Sequence, residues 1–187
     1  MKVVGSVIAR LGSKRLPYKN LLPFEGVPLV RRAVDFLQRC PEVDLVVVST
    51  ESELIARTCL GTGAEILPRP PELAGDKVPS IPVFQHLAEH FPCDLHVNYN
   101  CNFPVCDPAV VSKAIELAKE TGESLSEPVA VWAQTRERLA DYGDPFAITA
   151  TRFQDERICG IDVHHEEDLL EIHRRHQSGF DEKWELI

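Results

Sequence analysis

The sequence predicts an α/β protein built on a mostly parallel sheet, and three observations carry that prediction. Apolar runs at 3–8, 44–49 and 94–99 have the length and β-branched content of buried strands. Segments with apolar residues at helical spacing lie between them. Gly and Pro stand at most of the junctions. Strands alternating with helices imply βαβ units and an α/β sandwich.

The elements follow in order. After the strand at 3–8 comes a basic loop, 9–20. A helix over 28–40 opens at Pro28 and buries Leu29, Val30, Ala33, Val34 and Leu37. The strand at 44–49 leads to a short helix capped by Thr50, which reaches Leu60 and ends at Gly61 and Gly63. A short strand covers 64–67. Three prolines then hold 68–76 as an extended surface loop. A helix starting near Val78 buries Ile81, Phe84 and Leu87. The strand at 94–99 runs into a loop at 100–104, and Asp107 or Pro108 opens a helix ending at Gly122. A fifth strand is expected over 127–132, a loop or short helix over 134–145, and two further strands over 146–150 and 157–162. A last helix covers 166–176, with Leu169, Leu170 and Ile172 facing inward.

The 187 residues suit one domain, and no repeat or interdomain linker interrupts them. A net charge of −9 disfavours nucleic acid as a partner. No apolar run approaches the roughly 18 residues of a membrane span. Met1 leads straight into the first strand, so no leader is expected and the cytoplasm is the expected location. The six cysteines form no C-x-x-C pair and are expected to be reduced and mostly packed. Cys101 and Cys106 flank a loop, where they are either exposed, with room for zinc, or packed. His173-x-x-His176 is either a metal pair or a solvated helix face.

The chemistry concentrates in the loop after the first strand, where open α/β sheets bind ligands. Arg10, Lys14, Arg15 and Lys19 stand there, with Gly12 and Ser13 to let the backbone turn. Four cations in an acidic chain suit a polyphosphate, although a solvated basic loop has the same composition. A nucleoside triphosphate would require a divalent metal such as Mg2+. Asp162 is its best ligand, because a carboxylate ending an apolar strand has no packing purpose; capping the following helix is the alternative. His164, two residues on, points the same way in an extended chain and would reach magnesium through water. Asn100 and Asn102 suit either a base edge or ribose, or the holding of a turn. Arg69 in its rigid loop either bonds a base or sugar or stays solvated. There is no G-x-S-x-G elbow, no Walker A loop and no G-x-G-x-x-G, which argues against a hydrolase, a P-loop kinase and a Rossmann dehydrogenase. No internal D-x-D supports a glycosyltransferase.

The stretch from Ile8 to Asn20, followed by Gly26-Val-Pro-Leu29, resembles the opening motif of the sugar-acid cytidylyltransferases. These make CMP-sialic acid, CMP-legionaminic acid and CMP-KDO; the spore-coat polysaccharide cytidylyltransferases are similar. The likeness continues through Val47-Val-Ser-Thr50, Gly63-Ala-Glu65, Arg69-Pro70, Glu72-Leu-Ala74 and Ser80, and resumes at Gly160-Ile-Asp162 and Glu166-Glu-Asp-Leu169. It implies a single three-layer α/β/α nucleotidyltransferase domain over 1–187, glycosyltransferase-A-like and Rossmann-like. It also implies CTP as donor, Mg2+ as cofactor and a small anionic acceptor, with room for a homodimer.

Carried over by motif, Arg10, Ser13 and Lys19 look like the triphosphate residues, and Asn20, Arg69, Ser80 and Asn100 like the cytidine set. Ala9, Gly12, Arg15 and Asn102 complete the substrate-binding residues. Asp162, with His164 beside it, looks like the metal site; Arg10, Lys19 and Asp162 are the expected catalytic residues. Three departures stand out. Asn102 replaces an acidic residue or threonine, His164 replaces a second aspartate, and only residues 133–157 stand where relatives carry a long acceptor and dimer segment. The short segment raises the expectation of a small phosphonate acceptor, already ionised and needing no general base. The other two raise the alternative of a catalytically degenerate nucleotide-binding protein.

Overall fold

A computed structural model describes residues 1–176; the last eleven residues of the expected 1–187 domain lie outside the described residues. The strands are β1 (Val3–Ile8), β2 (Pro23–Phe24), β3 (Val27–Pro28), β4 (Leu45–Thr50), β5 (Glu65–Pro68), β6 (Leu95–Tyr99), β7 (Glu123–Glu127), β8 (Val131–Thr135) and β9 (Thr151–Gln154). The helices are α1 (Leu29–Gln38), α2 (Glu53–Thr58), α3 (Ser80–His90), α4 (Pro108–Thr121), α5 (Arg136–Ala140) and α6 (Glu166–His176). None of the described helices is long and apolar enough to cross a membrane.

Seven strands form one sheet in the order β5-β4-β1-β6-β8-β7-β9, and β2 and β3 form a separate hairpin. Only β8 runs against its neighbours. Helices α1 and α4 bury Val30, Val34, Leu37, Val111 and Ile115 on one face of the sheet. On the other face α3 and α5 bury Ile81, Phe84, Leu87 and Leu139. The result is the expected three-layer α/β/α architecture. Gly5 is required by the first layer contact: a Cβ there would lie 2.9 Å from Val43 Cγ1 and 3.3 Å from Leu37 Cδ1. One polar chain crosses the sheet interior. His96 on β6 bonds Ser6 Oγ of β1 at 2.8 Å and Gln134 Oε1 of β8 at 2.9 Å. Burial pushes the His96 imidazole down to about 4.

Through α4 most boundaries fall within two residues of expectation. Asp107 caps α4 by accepting from Ala109 N at 2.8 Å, and Gly122 closes it at φ +86°. Ser52, rather than Thr50, caps α2. The proline loop contains one 3-10 turn, Pro71–Leu73. Cys101 is buried, not exposed.

The last third needs three corrections. The strand expected over 127–132 is instead a hairpin, with β7 before Pro128 and β8 after it. Strand β7 reads Glu-Ser-Leu-Ser-Glu, and its serines find backbone partners: Ser124 donates to the Ala114 carbonyl, and Ser126 accepts from Ala130 N and Val131 N. The strand expected over 146–150 is absent because its apolar residues are outside the core: Phe146 is 72% exposed. The real strand there, β9, follows it and pairs parallel with β7. Residues 157–162 are not a strand either. They lie beside 102–107, tied by a Cys106–Ile158 bridge and by Asp107 N to Arg157 O, Cys159 N to Val105 O and Val163 N to Asn102 O.

Candidate active site

Strand β1 is flanked by β4 on one side and β6 on the other, so its C-terminal end is where connections diverge and the sheet leaves a crevice. A cleft of about 520 Å³ opens there. It collects Arg10, Ser13, Arg15, Lys19, Asn20, Arg69, Ser80, Asn100, Asn102 and His164 from five separate stretches of chain. Asp162 stands at its edge, bonded to two of these residues. Ala9 is buried, its N–H given to the Ser49 carbonyl, and Gly12 sits exposed at the bend of the loop with open space beside it.

The basic side of the cleft is built from side chains rather than from a nest of amides. Leu11 N donates to Glu51 Oε1 at 2.8 Å and Ser13 N to the Leu11 carbonyl. Tyr18, at φ +56°, turns the chain so that Lys19 and Asn20 face inward. Lys19 Nζ donates to the Val163 carbonyl at 3.0 Å, which joins the basic loop to the Asp162 segment. Burial lowers the pKa of this ammonium, and the nearby Asp162 carboxylate opposes that shift. Arg10 and Lys14 both pair with Asp76, which crosses from the β5–α3 loop. Hydrogen bonds from Lys14 and Arg10 hold the Asp76 carboxyl below the usual range.

The opposite side is tied by more hydrogen bonds within the protein. Arg69 is buried, not solvated; it donates to the Ser49 carbonyl at 2.6 Å and to Ser49 Oγ at 3.2 Å. Asn20 donates to the Arg10 carbonyl and accepts from Cys101 Sγ, so its amide locks the basic loop to the β6 loop. Asn100 holds a turn: its Oδ1 accepts from Asn102 N and its Nδ2 donates to the Val129 carbonyl.

At the cleft edge, Asn102 Nδ2 donates to Asp162 Oδ1 at 2.8 Å, and His164 Nε2 lies 3.1 Å from Asp162 Oδ2. The expected i, i+2 relation of Asp162 and His164 therefore holds in space. Asp162 does not cap α6. Asp168 does so, its Oδ2 accepting from His164 N and His165 N at 2.7 Å each. The donor set of Asp162 and His164 suits a divalent cation with open coordination positions left for phosphate and water.

Three contributors were missed in the sequence. Asp76 was a lone acid in a loop, and its signal was its sign, opposite to the basic loop. Asn98 lines the cleft, bonding the Ser6 carbonyl at 3.2 Å; its signal was a polar residue in a buried strand, in period-two step with Asn100 and Asn102. Trp132 walls the far side, and the misplaced strand concealed it.

Known proteins resemble this chain in sequence and in fold. The profile of the family described as cytidylyltransferase matches residues 4–144. N-acylneuraminate cytidylyltransferase A of Danio rerio is 31% identical over 117 residues, 62% of this chain and 27% of its own length. The 3-deoxy-manno-octulosonate cytidylyltransferase of Chlorobium chlorochromatii is 32% identical over 118 residues, 62% of this chain and 45% of its own. The chain thus spans less than half the length of these relatives. A CMP-2-keto-3-deoxy-manno-octonic acid synthetase solved with CTP superposes with TM-score 0.78 at 15% identity, covering 94% of this chain and 98% of that one, a likeness of fold. With most of the chain matched and the basic loop at the switch point of the sheet, the protein belongs to the cytidylyltransferase family.

Proposed function

We propose that this chain transfers CMP from CTP to a small anionic acceptor and releases pyrophosphate. The observation that supports this best is the convergence of Arg10, Lys19 and Arg69 with the Asp162–His164 pair at one cleft. The acceptor oxygen attacks the α-phosphorus in line with the departing pyrophosphate. Arg10 and Lys19 bind the triphosphate and stabilise the charge that grows on its oxygens. Ser13 adds a hydroxyl donor and Arg15 a further cation. Arg69, already held by Ser49, presents its remaining guanidinium edge to the nucleoside, and Ser80 lies beside it in the cleft. Asp162 and His164 would hold a divalent cation, magnesium by family resemblance, which when bound offsets phosphate charge.

The acceptor is a sugar acid of the kind named for the relatives, or a small phosphonate. The phosphonate option rests on the short 133–157 segment, which folds back on Glu123 instead of building a second wall. Glu123 accepts from Trp132 Nε1, Tyr142 OH and Thr149 Oγ1 at 2.8, 2.8 and 3.1 Å. Pyrophosphate release with each of four nucleoside triphosphates, against a panel of sugar acids and phosphonates, tests the proposal. Release with CTP and one acceptor supports it, and release with another nucleotide alone overturns it.

A second reading is a nucleotide-binding protein without turnover. It is favoured by Asn102, whose amide binds Asp162 where relatives place an acidic residue or threonine. It predicts CTP binding with no pyrophosphate from any acceptor.

A further inference from the structure

We propose that Asp162 and His164 form a subsite that takes a first-row transition dication such as Mn2+ in preference to Mg2+. The inference rests on the nucleotide reading above, because phosphate oxygens complete the coordination.

Spacing is the first argument. Asp162 Oδ2 and His164 Nε2 are 3.1 Å apart. Adjacent corners of an octahedron with bonds of about 2.1 Å are about 3.0 Å apart. The two donors therefore already stand at the separation that two cis ligands of one ion require. Their direct contact would give way to two metal bonds, with any proton on Nε2 moving to Nδ1 or to solvent.

Support around the pair is the second argument. Asn102 Nδ2 binds only Oδ1, which orients the carboxylate and leaves Oδ2 for the ion. The backbone that carries both ligands is held at Val163 N by the Asn102 carbonyl, at Val163 O by Lys19, and at His164 N by Asp168. The side chains remain accessible, 40% exposed for Asp162 and 28% for His164.

Donor chemistry is the third. Magnesium prefers oxygen ligands and keeps its waters, whereas imidazole suits first-row transition ions. An aspartate at 164 would favour the first; the histidine present favours the second. Asn102 brings no second carboxylate to restore an all-oxygen set. Among the described residues no three His, Cys, Asp or Glu side chains gather to hold an ion on protein donors alone, so the ion enters with the triphosphate.

The test uses the full chain labelled with [15N]histidine, loaded with Mn2+ and CTP, and read by pulsed EPR. A 15N coupling is expected in the wild type and is lost in His164→Gln. In competition, the Mg2+ excess needed to displace Mn2+ should fall about ten- to hundredfold in His164→Asp. That variant keeps an ionisable ligand at a half-exposed position and guards against loss of fold. Absence of 15N coupling with Mn2+ and CTP bound, or equal competition in wild type and His164→Asp, overturns the subsite alone. Failure of the protein to bind CTP in equilibrium dialysis, both without metal and with Mg2+ or Mn2+ present, overturns the proposed function and the subsite with it.

Discussion

The two sides of the β1–β6 crevice are built by different means. On one side β5, β4 and β1 run parallel; β1 and β4 are mostly apolar and buried, and the loops after β1 and β5 deliver the cations Arg10, Lys19 and Arg69, while β4 is followed by Glu51. On the other side β8 is reversed, four of the five residues of β7 are serine or glutamate, and a buried carboxylate organises the ground between strand and helix. Glu123 there gathers Trp132, Tyr142, Thr149 and Arg138. The first side is held by non-directional burial, which tolerates loop variation. The second depends on directional bonds, in which each partner must be present. The side that carries the basic loop can thus vary its loops without losing its strands, whereas on the Glu123 side the loss of one residue disturbs several.

Substitutions can break that comparison. The largest effect is expected at Arg10. Arg10→Ala should lower CTP-dependent pyrophosphate release by about 10²–10³-fold, while the thermal midpoint stays near wild type, because the side chain is tied only at the cleft mouth. On the other side, Glu123→Ala should leave Trp132 Nε1 and Tyr142 OH without their buried acceptor and cost about 3 kcal/mol. Urea unfolding would register it, and Glu123→Gln should recover part of the loss. A cost as small as that of a surface substitution would remove the contrast between the two sides.

The sheet centre gives a pH signature. His96 has a folded pKa of about 4, pushed down by burial from 6.5. The unfolded chain therefore binds the proton first, and stability is full above about pH 6.5 and lost as pH falls toward about 4. The loss amounts to about 3 kcal/mol at most. Unfolding midpoints at pH 7 and pH 5 should differ in the wild type and converge in His96→Asn; an unchanged pH slope in the variant would assign the effect elsewhere. The smallest effect is expected at the cleft mouth. Asp76 pairs with Arg10 and Lys14; if these cations take phosphate as proposed, Asp76→Asn should tighten CTP binding by up to about fivefold in calorimetry at low salt. Weaker binding would show that Asp76 instead holds the loop open for the nucleotide.

The sequence by itself determined the α/β class, the strands and helices through α4, and the basic loop at the end of the first strand. These follow from apolar periodicity and caps, which act over a few residues; Asp107 and Gly122 mark both ends of α4 with local chemistry alone. It also paired Asp162 with His164, because two-residue spacing is local. Tertiary structure decided the rest. It divided 123–135 into a hairpin, since Glu123, Ser124 and Ser126 are acceptable in a buried strand only when bonded, Ser126 by the hairpin turn itself and Glu123 by Tyr142 and Thr149 from further along the chain. It left Phe146 and Ile148 outside the core, which no propensity could indicate. It placed Asp76 on Arg10, and Asn102 on Asp162, across sixty or more residues of chain. Burial and hydrogen bonding between remote segments are properties of the packed chain, and only the fold could assign them.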